Sequence, residues 1–568
     1  MSEFDVAIRG GRIVDGTGAA AFVGDIGIKD GKIARIGSIA AGDADRVIDA
    51  DGRIVTPGFV DVHTHFDAQL LWDASATPSI NHGVTSVACG NCGYTLAPVE
   101  EKDVGFLRSL MARVEGIPEE SLRQLDWQWR SWGDYYEKFA GKLGINVAIS
   151  VGHSAVRRKV MGEAASAEKA TDEQIDAMAR EVRAAVDAGA MGFSSSQSPI
   201  HFDGSDVHVP SWFADPEELI RICAGLKGSS ARILEFIPRG VLTEVSQEDS
   251  DLMAAMSRAA GVPLNWNTLS VSPDDLDKHE REMERYTAAA GNDAKVVGLT
   301  LPVQPIRWIS FATGVTLKAQ PGFDIIFSEP TIEGRIRVLK DPAMRDRIRN
   351  AGRSEELGNV GKGVDWGAYS FAKVEDARYR ALSGRNVGEA AKEQGVDPLD
   401  LIVDVVVADK LRTGLTRERE NDPATDKVSA KVWADPRAVI GASDAGAHLD
   451  LQCGGTFTTD FLSIAVRDRQ LMSIEAAVHG ITQVPADLYG MRGRGRLAEG
   501  MQADVNVLDL ARLDVPTVAE YDDLPANGPR VVGGAQGYDH VFVNGVEAIS
   551  GDRLTGARSG TLLRSNAA

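Results

Sequence analysis

Eight times between residues 57 and 443, a short run of strand length is followed by a stretch long enough for a helical crossover. The runs cover 58–63, 85–90, 146–151, 191–195, 232–237, 263–269, 295–301 and 438–443. Such alternation predicts parallel strands joined by helices, and eight of them close a (β/α)8 barrel. The intervening segments carry helix signals. Thr171-Asp-Glu-Gln174 reads as a capping box, after which Ile175, Met178, Val182 and Val186 recur at helical spacing. Asp215-Pro216-Glu217-Glu218 supplies an N-cap, a first-turn proline and acidic residues at the positive end of the helix dipole. A third helix is expected over 247–260, stopped by Gly261.

The barrel has additions. Residues 1–56 read as short strands separated by Gly10-Gly11, Asp30-Gly31 and Asp51-Gly52, each taken as a hairpin turn. Strand-like runs return after residue 491, so both chain ends are expected to form one small β-sandwich subdomain (1–56 with 491–568) beside a barrel spanning 57–490. An insertion at about 305–435, with a helix near 398–410 and a charge-rich tract at Arg345–Glu356, follows strand 7 and is expected to act as a lid.

A net charge of −21 and a pI near 5.0 argue against nucleic-acid or anionic-membrane partners. The four cysteines form no disulfide-like framework, and the start of the chain lacks a secretory leader. A soluble, cytoplasmic protein is the expectation.

Chemistry concentrates at the strand ends. His63 and His65, two apart at the end of strand 1, leave from one face of a strand and are candidate metal ligands. Asp444 follows strand 8, which pairs with strand 1 in a closed barrel; it is a candidate metal ligand and proton shuttle, or alternatively a cap of the next helix. Cys92, in Cys89-Gly-Asn-Cys92-Gly93 past strand 2, is a candidate thiolate ligand, whereas Cys89 reads as core. His153, His201 and His448 also fall near strand ends and are candidates for substrate binding.

Pro57-Gly-Phe-Val-Asp-Val-His63-Thr-His65, Gly83-Val-Thr-Ser-Val, Gly90-Asn-Cys92-Gly93, Ser443-Asp444 and Gly500-Met-Gln-Ala-Asp504 resemble the amidohydrolase superfamily. The Gly-Asn-Cys-Gly element, with Val151-Gly-His153 and Val160-Met-Gly162, is similar to the N-acyl-D-amino-acid deacylases, or D-aminoacylases. The resemblance implies a distorted barrel and a Zn2+ site with one essential ion, a second being possible. It implies His63, His65 and Cys92 as ligands, and deacylation of an N-acyl-D-amino acid by a metal-activated water with Asp444 as general base and acid. Similar D-aminoacylases supply further histidine ligands from strands 5 and 6. Here those strands offer Glu235, Asn265 and Asn267 instead, with Glu235 as a possible oxygen ligand and Asn267 as a substrate contact. Two other readings stand beside this one: another amide or cyclic-amide hydrolase of the superfamily (dipeptidase-, hydantoinase- or toxin-amidase-like), and a non-catalytic scaffold on the same fold.

Overall fold

The computed structural model describes residues 2–312, 317, 322–329, 331–350, 365–417 and 422–567. All eight barrel positions are filled by parallel strands: β6 (Phe59–Asp61), β7 (Val84–Cys89), β8 and β9 (Asn146–Ile149 and Val151–Gly152), β10 (Gly192–Ser196), β11 (Ile233–Ile237), β12 (Leu264–Asn267), β13 (Val296–Thr300) and β17 (Ala438–Ile440). The third position is broken at Ser150, so β8 pairs only with β7 and β9 only with β10. That break distorts the barrel. Closure between the first and last positions is made past the strand ends, where His65 N–H donates to Ala445 O (2.7 Å) and Asp444 N–H to His63 O (3.1 Å). Every residue of β10, β11 and β13 is buried, as parallel strands covered on both faces require. The barrel interior is filled by Val60, Val62, Ala148, Ile233, Val297, Leu299 and Val439.

The expected helices form at Asp172–Asp187, Pro216–Ala224 and Gln247–Ala260. Thr171 and Gln174 make a reciprocal capping box, Asp215 caps the second helix, and Gly261 ends the third in the left-handed region. Gly58 immediately precedes β6, where the chain enters the barrel. A Cβ there would lie 2.1 Å from Thr85 Oγ1, so the two strands approach only because residue 58 has no side chain.

Strands from both ends form one nine-stranded sheet, in which β18 (Val505–Leu508) lies between β5 (Ile54–Pro57) and β21 (Tyr538–Val543). Two of the three expected hairpin turns are something else. Gly10-Gly11 is a bulge inside the single strand β1 (Phe4–Ile13). Asp51-Gly52 separates β4 (Ala44–Asp49) from β5, and both run parallel to β1. Only Asp30-Gly31 turns a hairpin, with Lys29 opposite Lys32 and both turn residues at positive φ. A bulge and a turn share the same glycine preference, and the difference lies in partners far along the chain.

Past β13 the chain adds β14 (Trp308–Ile309), β15 (Tyr369–Lys373) and β16 (Gly414–Arg417) as a separate antiparallel sheet. It packs with helices, among them Pro398–Ala408, around Phe311, Phe371, Ile402 and Val406. The charge-rich tract is helical through Asn350, and its residues 351–356 lie outside the described residues. A late hairpin of β19 (Val518–Leu524) and β20 (Gly528–Gly533) reaches the barrel mouth, where Val531 N–H donates to Leu449 O (2.7 Å). Among the described residues, no helix is long and apolar enough to cross a membrane.

Candidate metal centre

His63 and His65 lie just past the end of β6, and their Nε2 atoms meet 3.3 Å apart. Cys92 Sγ is 3.5 Å from His63 Nε2 and 3.6 Å from His65 Nε2. Ligand bonds of about 2.05 Å to nitrogen and 2.3 Å to sulfur, at the tetrahedral angle, put roughly 3.3 Å between two nitrogens and 3.6 Å between nitrogen and sulfur. The three observed edges match that triangle, so the donor set fits an ion of zinc's size. Asp444 Oδ1 approaches the same point, 3.2 Å from His65 Nε2 and 3.8 Å from His63 Nε2.

Local backbone holds the donors there. Gly90 adopts φ +73, and a Cβ on it would fall 2.0 Å from Ser150 O, so only glycine lets the loop past the break in the third strand. Cys92 itself is held at φ 56 and Asp444 at φ 59, a left-handed conformation uncommon for non-glycine residues and frequent at functional sites. The Asn91 side-chain amide donates to Thr64 O (3.1 Å) and Ala88 O (3.0 Å), locking the cysteine loop to the histidine segment. Ser443 Oγ donates to Asp61 Oδ2 (2.5 Å), and Gln452 Nε2 donates to Asp444 Oδ2 (3.3 Å).

Burial, helped by the neighbouring His65, pushes the His63 imidazole down to about 3, leaving it neutral with a lone pair to give. Burial pushes the Cys92 thiol up. Burial also works against ionised Asp444, but the hydrogen bond from His65 and the positive field of His448 and His65 hold its carboxyl well below the usual range. His448 Nε2 is 3.5 Å from Asp444 Oδ2.

The remaining candidates are distributed unevenly. Glu235 is turned behind Cys92: Oε2 accepts from the Cys92 N–H (2.9 Å), and Oε1 is in short contact with Asn267 Nδ2. Its oxygens are outside the group of converging donors, and burial raises its carboxyl to about 8. Asn267 Nδ2 also meets His63 Nδ1 at 3.0 Å, so Asn267 supports a histidine. Asn265 donates to the Tyr489 hydroxyl instead (3.1 Å). His153 has both ring nitrogens engaged within the core, by Ser195 Oγ and Glu218 Oε1 at 2.9 Å each, and no nitrogen is left for a substrate. His201 is held through Nδ1 by Ser196 Oγ (2.9 Å), and burial followed by the fields of His448 and His65 lowers it to about 3.

Three residues at the site escaped the sequence reading. Glu115 Oε1 lies 3.0 Å from His65 Nδ1. Its signal was a carboxylate at a helix C-terminus, where the dipole disfavours negative charge. Buried Tyr94 stacks at a tilt on His201, with centroids 5.4 Å apart. Arg307, exposed and bridged through its backbone to Gln452, lies in the field of Asp444 and forms no ion pair among the described residues.

The profile of a family described as "Amidohydrolase family" matches residues 46–548. An uncharacterized protein of Mycobacterium tuberculosis is 30% identical over 552 residues, covering 90% of this chain and 85% of its own length. The N-acyl-D-aspartate deacylase of Alcaligenes xylosoxydans xylosoxydans is 26% identical, covering 99% of this chain and 95% of that protein. A solved D-aminoacylase structure, described as defining a novel subset of amidohydrolases, superposes with a TM-score of 0.64 at 25% identity, covering 99% of this chain and all of that one.

Proposed function

The chain belongs to the amidohydrolase family, and from that premise we propose that it removes the acyl group from an N-acyl-D-amino acid, using one zinc ion held by His63, His65 and Cys92. The observation that carries this reading is the convergence of two imidazole nitrogens and a thiol at tetrahedral spacing, with Asp444 beside them. Imidazole and thiolate together favour zinc over magnesium or calcium, which prefer oxygen. The D configuration and the amino-acid substrate are supported by the names of the similar deacylases.

A divalent ion at this point supplies Lewis acidity toward a carbonyl oxygen and toward water. The protein does the rest. Asp444, whose Oδ1 stands 3.2 Å from His65 Nε2, takes the proton of the attacking water on that oxygen and returns it to the leaving amine. Gln452 holds the other carboxylate oxygen, so the aspartate keeps one orientation through both transfers. Neutral His201, fixed through Nδ1 by Ser196 and within the fields of His448, His65 and Asp444, serves as a polarising donor. Arg307, with no carboxylate partner among the described residues, receives the carboxylate of the substrate.

The test is hydrolysis by zinc-loaded protein, with metal content measured, of N-acetyl-D-amino acids, their L-enantiomers and 5-substituted hydantoins. Turnover of the D-amides, abolished by chelation and restored by zinc, is expected. A fully loaded protein that leaves all N-acyl amino acids intact, or that prefers hydantoins, refutes the reading.

A further inference from the structure

Glu115 ends the helix Val104–Glu115, and its side chain is 2% exposed. Two penalties meet at this position. An ionised carboxylate removed from water costs several kcal/mol unless a cation faces it. The C-terminal end of a helix adds a partial negative charge of its own. Among the described residues no lysine or arginine pairs with Glu115, and the ion-pair partner it has is His65, with Oε1 3.0 Å from Nδ1. The two atoms stand off the ideal hydrogen-bond direction, and neither has another hydrogen-bond partner. The pairing is fixed from both sides. Leu449 N–H donates to the Glu115 carbonyl (3.3 Å), and a Cβ on Gly116 would lie 2.5 Å from Asp450 Oδ1, so the helix end is pressed against the segment that follows Asp444.

The two histidines are therefore supported differently. His63 Nδ1 meets a neutral amide, Asn267. His65 Nδ1 meets a carboxylate. A histidine whose far nitrogen donates to a carboxylate is held in one tautomer and becomes a stronger ligand through the near one. Resting on the metal reading above, we propose that Glu115 is a positioning residue that fixes His65 as the Nδ1–H tautomer, aims Nε2 at His63 and Cys92, and makes His65 the stronger of the two histidine ligands.

The test compares wild type, Glu115→Gln and Glu115→Asp. Glu282→Gln serves as a control for loss of a buried carboxylate, because Glu282 pairs with Lys278 on an outer helix away from the donors (2.7 Å). Each protein is stripped of metal and titrated with zinc against a chromophoric chelator. A parallel titration with cobalt(II) records the ligand-field and thiolate-to-cobalt bands. Glu115→Gln should weaken the zinc Kd about 10- to 100-fold and alter the cobalt spectrum, while Glu282→Gln lowers Tm and leaves both metal readouts at wild type. Where Glu115→Gln fails to fold, Glu115→Asp, which withdraws the carboxylate by one methylene, carries the test in the same direction. A zinc Kd within about threefold of wild type and an unchanged cobalt spectrum in the folded variant overturn the proposal. A wild-type protein that binds neither ion overturns the metal reading and the positioning role together.

Discussion

Replacing Asp444 by asparagine isolates proton transfer from everything else at the site. The substitution conserves volume, and asparagine tolerates the left-handed backbone at φ 59, so no strain is added. Gln452 and His448 still have an oxygen or nitrogen within reach at the Oδ2 position, 3.3 and 3.5 Å away. The converging donors are His63, His65 and Cys92, so metal content should stay at the wild-type level. What disappears is a carboxylate oxygen 3.2 Å from His65 Nε2, on the side where water and amine exchange a proton. A positioned acid–base group contributes roughly 10²- to 10⁴-fold, or about 3–5 kcal/mol of barrier. The assay is kcat/KM on the best N-acyl amino acid, with metal quantified per chain in both proteins. A fall of at least about a hundredfold at equal metal content is expected. An Asp444→Asn protein within about threefold of wild type would remove Asp444 from the proton path.

Three further outcomes follow from described contacts. Arg307→Met should raise KM for N-acyl amino acids roughly 10- to 150-fold, the worth of a charged hydrogen bond, and leave the KM of carboxamide-capped analogues unchanged; equal losses on both substrates would argue against a carboxylate contact. Gly58→Ala should cost about 1–3 kcal/mol in urea unfolding, because its methyl group meets Thr85, and adding Thr85→Ala should recover most of that; additive losses would disprove the clash. Buried His82, between Thr459 Oγ1 and Gly533 O, is pushed down to about 4 by burial. The unfolded chain takes up that proton near 6.5, so stability is full above pH 6.5 and falls by up to about 3 kcal/mol toward pH 4. His82→Gln should flatten that acid-side slope, and an unchanged slope would contradict the assignment.

The barrel was legible because short strand-length runs alternate with helical crossovers, and the capping box at Thr171 and the N-cap at Asp215 marked helix starts from short-range chemistry alone. His63, His65 and Cys92 were legible for a related reason: strand ends on one face of a barrel bring their residues together whatever the loops do. The misread glycines at 10–11 and 51–52 were local signals whose meaning depends on a partner strand elsewhere. Glu115 was invisible because its contact with His65 comes from the packing of a helix end against residues 448–450, a relation with no local pattern. Glu235 pointed to the right neighbourhood, but its oxygens are drawn to the Cys92 N–H and the Asn267 amide, groups that would otherwise be buried and unsatisfied.

The placement of β18 between β5 and β21 has a consequence for how the chain reaches its folded state. The middle of the terminal sheet joins residues 54–57 to 505–508, and the barrel closes only when residues 443–445 meet 63–65. At about 5–20 residues per second, a ribosome needs on the order of 20–80 s between delivering the first barrel strand and the last. Throughout that interval β5 and β6 present unpaired edges, the most adhesive surface a growing polypeptide can carry. Pairings this distant place the protein among slow folders. Those early strands thus stay without their final partners until the second end of the chain arrives.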